Sequence, residues 1–165
     1  MAFAMYIALE VLAVMLAAVT MSLALAHALE LPGKLRLDRE QYLTVQTIYY
    51  PGFTLGGIAE VASIVAVLAL WIASPANTPQ FWLIAAALAA LSTVQAIFWI
   101  MTQPINKYWL QNVHMSRAAE RFFETRGEMR ADNWTVMRDR WERSHVLRAI
   151  AAGTALLCLT LAVAL

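Results

Sequence analysis

All twelve lysines and arginines of this 165-residue chain fall in two stretches, Lys34–Arg39 and Lys107–Arg148. Everything else is long apolar sequence without a basic residue. A chain laid out this way cannot spread charge around a water-facing shell. Hydrophobic residues make up 61% and charged residues 14%, against about 45–50% and roughly 25% in soluble domains. Crossing the hydrocarbon core takes on the order of 20 apolar residues. Four segments supply them, at about 4–29, 53–73, 81–102 and 146–165. The last has its uninterrupted apolar run only from Ala149, so it carries His145 and Arg148 at an interfacial end. The expected fold is all-α and a single integral membrane domain over 1–165. It is a four-transmembrane-helix bundle, with an extra cytoplasmic amphipathic helix at about 107–130 between spans 3 and 4.

Positive charge marks the cytoplasmic side. Three basic residues separate spans 1 and 2, nine lie between or just inside spans 3 and 4, and the 74–80 connection has none. Both basic loops are therefore expected in the cytoplasm and both termini outside, as in a bacterial inner-membrane protein. Ala24-x-Ala26 has the form of a signal-peptidase site, but the apolar stretch before it is too long and lacks a basic start, which favours an uncleaved span. A net charge of +1 gives no nucleic-acid footprint. The single cysteine, Cys158, excludes an intramolecular disulfide and Cys-x-x-Cys redox chemistry.

The connections carry their own signals. Leu31-Pro32-Gly33 reads as the stop of helix 1, and Tyr49-Tyr50-Pro51-Gly52 as a break before span 2. The Tyr pair fits an interfacial aromatic anchor. Residues 107–130 read as a helix along the membrane surface with Trp109, Val113, Phe122 and Phe123 on its apolar side. Asp132 would cap a new helix. No Gly or Pro comes after it until Gly153, so one helix is expected from about 133 to 164, its first three turns outside the bilayer.

Ionisable and amide side chains inside a span are costly and face the bundle interior. Ser92, Gln95, Trp99, Gln103 and Asn106 are spaced by threes and fours, one stripe if the helix continues through Pro104. Trp134, Arg138, Trp141, His145 and Arg148 form a matching stripe entering span 4. Helix 1 ends on His27-x-x-Glu30, with Thr20 two turns earlier. Span 2 carries Gly56-Gly57-x-x-Glu60, where the glycines admit a close neighbour and the buried carboxyl calls for a partner or a proton. Alternating span directions bring His27, Glu30, Gln103, Asn106, His145 and Arg148 to one depth, with Glu60 beneath. Polar groups converging over an apolar floor describe a small-molecule pocket in a bundle. The bland alternatives are interhelical hydrogen bonds, a Trp belt and snorkelling arginines. No phosphate loop, nucleophile elbow or His-x-x-x-His pair occurs.

At Pro104-x-Asn106, and at Arg140-Trp141-Glu142-x-x-His145-x-x-Arg148, the chain resembles the anthrone-oxygenase-like family of small four-helix membrane proteins. That family includes fungal anthrone oxygenases and many bacterial members. The resemblance covers most of the chain in span layout and rests on those two motifs. It implies oxidation of an anthrone to an anthraquinone by molecular oxygen without metal or flavin. By motif match it reaches only Asn106, Trp141, His145 and Arg148; His27, Glu30 and Glu60 match no family motif.

Three functions are thus open. In the first, a cofactor-free oxygenase of an apolar phenolic substrate, His145 is the general base, and Arg148, Asn106 and Gln103 hold the oxyanion. His27, Glu30, Glu60, Trp99 and Trp141 then complete the substrate site. In the second, His27 and His145 ligate haem b, or His27, Glu30, Glu60 and His145 hold iron. In the third, the protein is a non-enzymatic membrane subunit docking a partner through 107–130, and a second copy could pack on the Gly56-Gly57 face.

Overall fold

In the computed structural model, which describes residues 2–109 and 133–165, every element is helical. Helix α1 spans Ala2–Lys34, α2 Arg39–Gln46, α3 Gly52–Ala73, α4 Pro79–Ile97, α5 Gln103–Trp109 and α6 Trp134–Ala164. A 3-10 turn, Thr47–Tyr49, comes after α2, and a π-helical turn, Phe98–Thr102, joins α4 to α5. Four helical stretches are long and apolar enough to cross a membrane: Phe3–Lys34, Gly56–Ala73, Pro79–Asn106 and Trp134–Ala164. The chain is an all-α bundle of the integral membrane type. The surface helix expected at about 107–130 and the Asp132 cap lie outside the described residues, apart from the final turn of α5.

Local chemistry sets the boundaries. Asp38 and Gln41 form a reciprocal capping box: Gln41 N donates to Asp38 Oδ1 at 2.9 Å and Asp38 N to Gln41 Oε1 at 3.2 Å. Thr78 caps α4 by accepting from Phe81 N, with Pro79 opening the helix. Asn77 takes the left-handed conformation (φ 62°) that turns the chain between α3 and α4.

The expected stop at Pro32 is displaced. Helix α1 runs through it to Lys34. Proline removes one donor from a last turn that is about to end, and Lys34 holds that turn inward through Glu30 and Glu142, at 3.0 and 3.5 Å.

Helix α1 packs on α3 and α6, and α4 closes the ring on α3 and α6. Two cores are stacked along the bundle. The larger is dry and small-grained, with Ala13, Ala17, Ala87, Ala155 and Ala162 among Val67, Leu70, Ile84, Leu91 and Leu159. Alanines let helix backbones approach where lipid supplies no hydrophobic drive. Gly56 serves the same end: a Cβ there would strike Leu23 Cδ1. The second core, at the basic end, is aromatic and built from Tyr42, Trp109 and Trp141 with Ile105. It exists because α2 folds back under the bundle, against α5 and the first turns of α6.

Candidate functional site

Between the two cores lies a cavity of about 380 Å³, within the roughly 300–1,000 Å³ typical of small-molecule sites. Helix α1 contributes Leu23, Ala24 and His27, and α3 contributes Phe53, Gly57, Ile58, Glu60 and Val61. Gln46, Tyr49 and Tyr50 come from the fold-back, and Trp141, His145 and Arg148 from α6. The α4–α5 arm supplies Gln95, Phe98, Trp99, Thr102, Asn106 and Trp109. Three lining residues, Ile58, Val61 and Trp99, are themselves 67%, 56% and 55% exposed on the outer surface. The cavity therefore opens sideways at the α3–α4 seam.

The π-helical turn shapes this wall. One extra residue per turn rotates the rest of the helix, so the stripe foreseen from a straight helix is broken. Ser92, expected inside, is exposed and bonds its own helix at Leu88 O. Gln95 lines the cavity, Trp99 stands at its mouth, and Thr102 turns inward to meet Ser144 at 2.8 Å. Asn106 is committed to positioning: its Oδ1 accepts from Trp141 Nε1 at 2.7 Å and its Nδ2 approaches Gln103 Oε1 at 3.4 Å. Gln103 is buried but does not line the cavity.

Of the α6 stripe, Trp141, His145 and Arg148 line the cavity, while Trp134 and Arg138 lie outside its lining. Arg148 pairs with Glu60, whose Oε2 also accepts from Gln95 Nε2 at 3.2 Å. The two histidines stack, with ring centroids 4.1 Å apart, and Trp141 lies 4.2 Å from His145 and 5.0 Å from His27. Tyr49 and Phe53 close the other side of His27 at 4.4 and 4.6 Å.

Each imidazole faces a cation at Nδ1. Lys34 Nζ is 3.3 Å from His27 Nδ1, and Arg148 Nη1 is 3.3 Å from His145 Nδ1. Lysine and arginine carry donors only, so a hydrogen bond at either contact assigns Nδ1 as the acceptor and the ring proton to Nε2. His145 therefore offers the cavity wall a donor, not the free lone pair a general base needs. Among the described residues its Nε2 is buried without a partner, and so are Arg148 Nε, Gln46 Nε2 and Trp109 Nε1. Leaving such a group unmade costs about 1–3 kcal/mol. These donors, on lining residues from three elements, are suited to the oxygen atoms of a ligand.

Glu30, expected among the substrate residues, does not line the cavity; it accepts from Tyr49 Oη and pairs with Lys34. Tyr49 and Tyr50 are not outward anchors but cavity wall, because the 3-10 turn after α2 carries them back beneath α1. Burial and then the Glu30 carboxylate push the Tyr49 phenol above its ordinary range. Sequence reasoning misses Lys34 and Glu142, 3% and 1% exposed, and Tyr42, whose Oη donates to Glu142 Oε1 at 2.9 Å. The spacing Tyr42, Gln46, Tyr49 is itself a helical stripe and was the available signal.

The histidine pair does not fit haem ligation as arranged. Two imidazoles on opposite faces of one iron, each nitrogen about 2.0 Å from the metal, put ring centroids roughly 6 Å apart with a porphyrin between. Among the described residues, no group of three or more His, Cys, Asp or Glu side chains is placed to hold a metal ion.

Comparison with protein-family models, with curated proteins and with solved structures gives no match to this chain. The fold and site define its class: an integral membrane four-helix bundle with a laterally open cavity that holds a buried arginine–glutamate pair.

Proposed function

We propose that this protein is a cofactor-independent oxidase or oxygenase of an apolar phenolic substrate, anthrone-like in kind, acting at the cytoplasmic end of the bundle. The observation carrying this reading is the cavity's wall: aromatic on its flanks, with unmatched N–H donors and one buried ion pair. An anthrone is a weak carbon acid whose enolate is electron-rich enough to give an electron to oxygen directly. Its methylene loses two hydrogens, one atom of O₂ becomes the new carbonyl oxygen, and the other leaves as water. His145 Nε2–H and Arg148 hold the substrate oxygen as charge develops on it. Trp141, fixed by Asn106, and the His27 ring face the aromatic plane. The lateral opening suits a substrate dissolved in the bilayer.

The test is oxygen uptake by protein purified in mild detergent, with anthrone as the probe and an absorption spectrum taken first. One O₂ consumed per anthrone, above the autoxidation rate and lost in His145→Ala, supports the reading. A Soret band in the purified protein, or no uptake above background with anthrone or naphthols, refutes it.

A further inference from the structure

A substrate that ionises in this cavity, whose opening faces the apolar flank of the bundle, must hand its proton to some group in the wall. The two histidines are poorly placed to take it, since each turns Nδ1 to a cation 3.3 Å away, which disfavours a second positive charge on the ring. Glu30 and Glu142 stand outside the lining, held by Tyr49 and Tyr42. Among the described lining residues, Glu60 is the sole carboxylate. Its Oε1 meets Arg148 and its Oε2 meets Gln95, and each carboxylate oxygen keeps further lone-pair capacity.

We propose that Glu60 is the catalytic base of this site and that Arg148 exchanges partners as the proton moves. The inference rests on the reading of the cavity as a site for an ionisable aromatic. The substrate O–H or C–H bond breaks and the Glu60 O–H bond forms, while the electron pair stays on the substrate and delocalises onto its oxygen. The Arg148 guanidinium, first balanced by the Glu60 carboxylate, is then balanced by the substrate oxyanion. One cation and one anion occupy the cavity before and after, so no net charge is created away from water, where an unbalanced charge is most costly. Arg148 Nε, buried without a partner, and His145 Nε2–H complete the oxyanion's contacts. Gln95 stays with Glu60, able to hydrogen-bond to either form of the acid through its amide.

The experiment separates proton transfer from oxidation. The probe is 4-nitro-1-naphthol, whose naphtholate absorbs at longer wavelength than the naphthol, added to detergent-solubilised protein at a pH where the free probe is neutral. Optical and difference infrared spectra are recorded together. In the wild type, binding yields the naphtholate band together with a new carboxylic-acid C=O stretch. Glu60→Gln loses that stretch, and Glu60→Asp, which keeps the ion pair if Gln perturbs folding, shifts it. His145→Gln keeps the stretch. Anthrone-dependent oxygen uptake falls about 10²–10⁴-fold in Glu60→Gln, the range for loss of a general base. A naphtholate band without a new carboxyl stretch, a stretch that survives Glu60→Gln, or a probe bound in its neutral form overturns the assignment of Glu60. Failure of the probe to bind at all overturns the reading of the cavity itself, and this inference with it.

Discussion

Lys34 should be among the most consequential side chains in the molecule, although only 3% of its surface is exposed. Its ammonium lies 3.5 Å from Glu142 Oε1 and 3.0 Å from Glu30 Oε2. Glu142 is 1% exposed, its Oε1 takes the Tyr42 hydroxyl, and its Oε2 has no partner. Lys34→Met leaves that carboxylate buried with one neutral donor, and breaking a buried pair from one side costs about 3–5 kcal/mol. Total stability is only about 5–15 kcal/mol for ordinary domains, so the variant should be visibly weakened. Glu142→Gln is milder, because Gln still accepts from Tyr42 and Lys34 keeps Glu30; the expected cost is about 1–2 kcal/mol. The double variant Lys34→Met/Glu142→Gln buries no unbalanced charge and should fall within about 1–2 kcal/mol of wild type. The cycle therefore has a coupling energy of about 2 kcal/mol or more, with the double variant more stable than Lys34→Met alone. Unfolding in mixed micelles, tracked by far-UV circular dichroism against SDS mole fraction, measures all four corners. If Lys34→Met costs under about 1 kcal/mol, or the double is no better than Lys34→Met, the buried network is not what fastens the fold-back to α6.

The same network implies alkaline sensitivity. Burial first, then the Glu142 carboxylate, raises the Tyr42 phenol well above its ordinary value of 10.0. An unfolded Tyr42 loses its proton above pH 10 while the folded one keeps it. Stability is thus full below pH 10 and falls by about 1.4 kcal/mol per pH unit above it, a slope that Tyr42→Phe should reduce in pH-dependent melting. Gly153→Ala meets nothing within 4 Å and should raise stability by about 0.5–1 kcal/mol through helix propensity in micelle unfolding; a loss would mean that α6 needs a close neighbour there. Gly56→Leu, by contrast, must drive Leu23 out of its place and should cost about 1–3 kcal/mol, while a wild-type unfolding midpoint would show that α1 and α3 are loosely apposed.

The spans and their inward faces were readable because apolar length and helical spacing are local properties. Trp141, His145 and Arg148 sit where a period of three to four puts them, and Glu60 has the partner its position demanded. Two things could not be read so directly. The π-helical turn at Phe98–Thr102 has no compositional signature, and within it Thr102 becomes a buried partner of Ser144; Ser92, ahead of it, lies off the buried Ile84–Ala87–Leu91–Val94 face of α4. The segment after Lys34 reads as a connection with helix-permissive residues over Asp38–Gln46, and nothing local says where it packs. Its fold-back depends on contacts 100 residues apart, Tyr42 with Glu142, which no local window contains. Lys34 counts in the sequence only as one of the basic loop residues, because its burial is set by where α2 and α6 arrive.

The Arg148–Glu60 pair spans 88 residues of sequence, and that separation bears on how the molecule is made. Synthesis delivers α3 to the membrane well before α6, so Glu60 enters with Gln95 as the earliest polar neighbour to join it. An ionisable side chain within a span carries an insertion cost, up to about 2.5–3.5 kcal/mol at a helix centre, and among the described residues the cation paired with Glu60 comes from α6. The counter-ion is the last large feature of the chain to be laid down. A bundle whose final helix is absent or misdocked therefore retains an unanswered acid in its wall, a defect that membrane quality control can sense. Placing the opposing charges on the second span and the last ties completion of the site to completion of the fold.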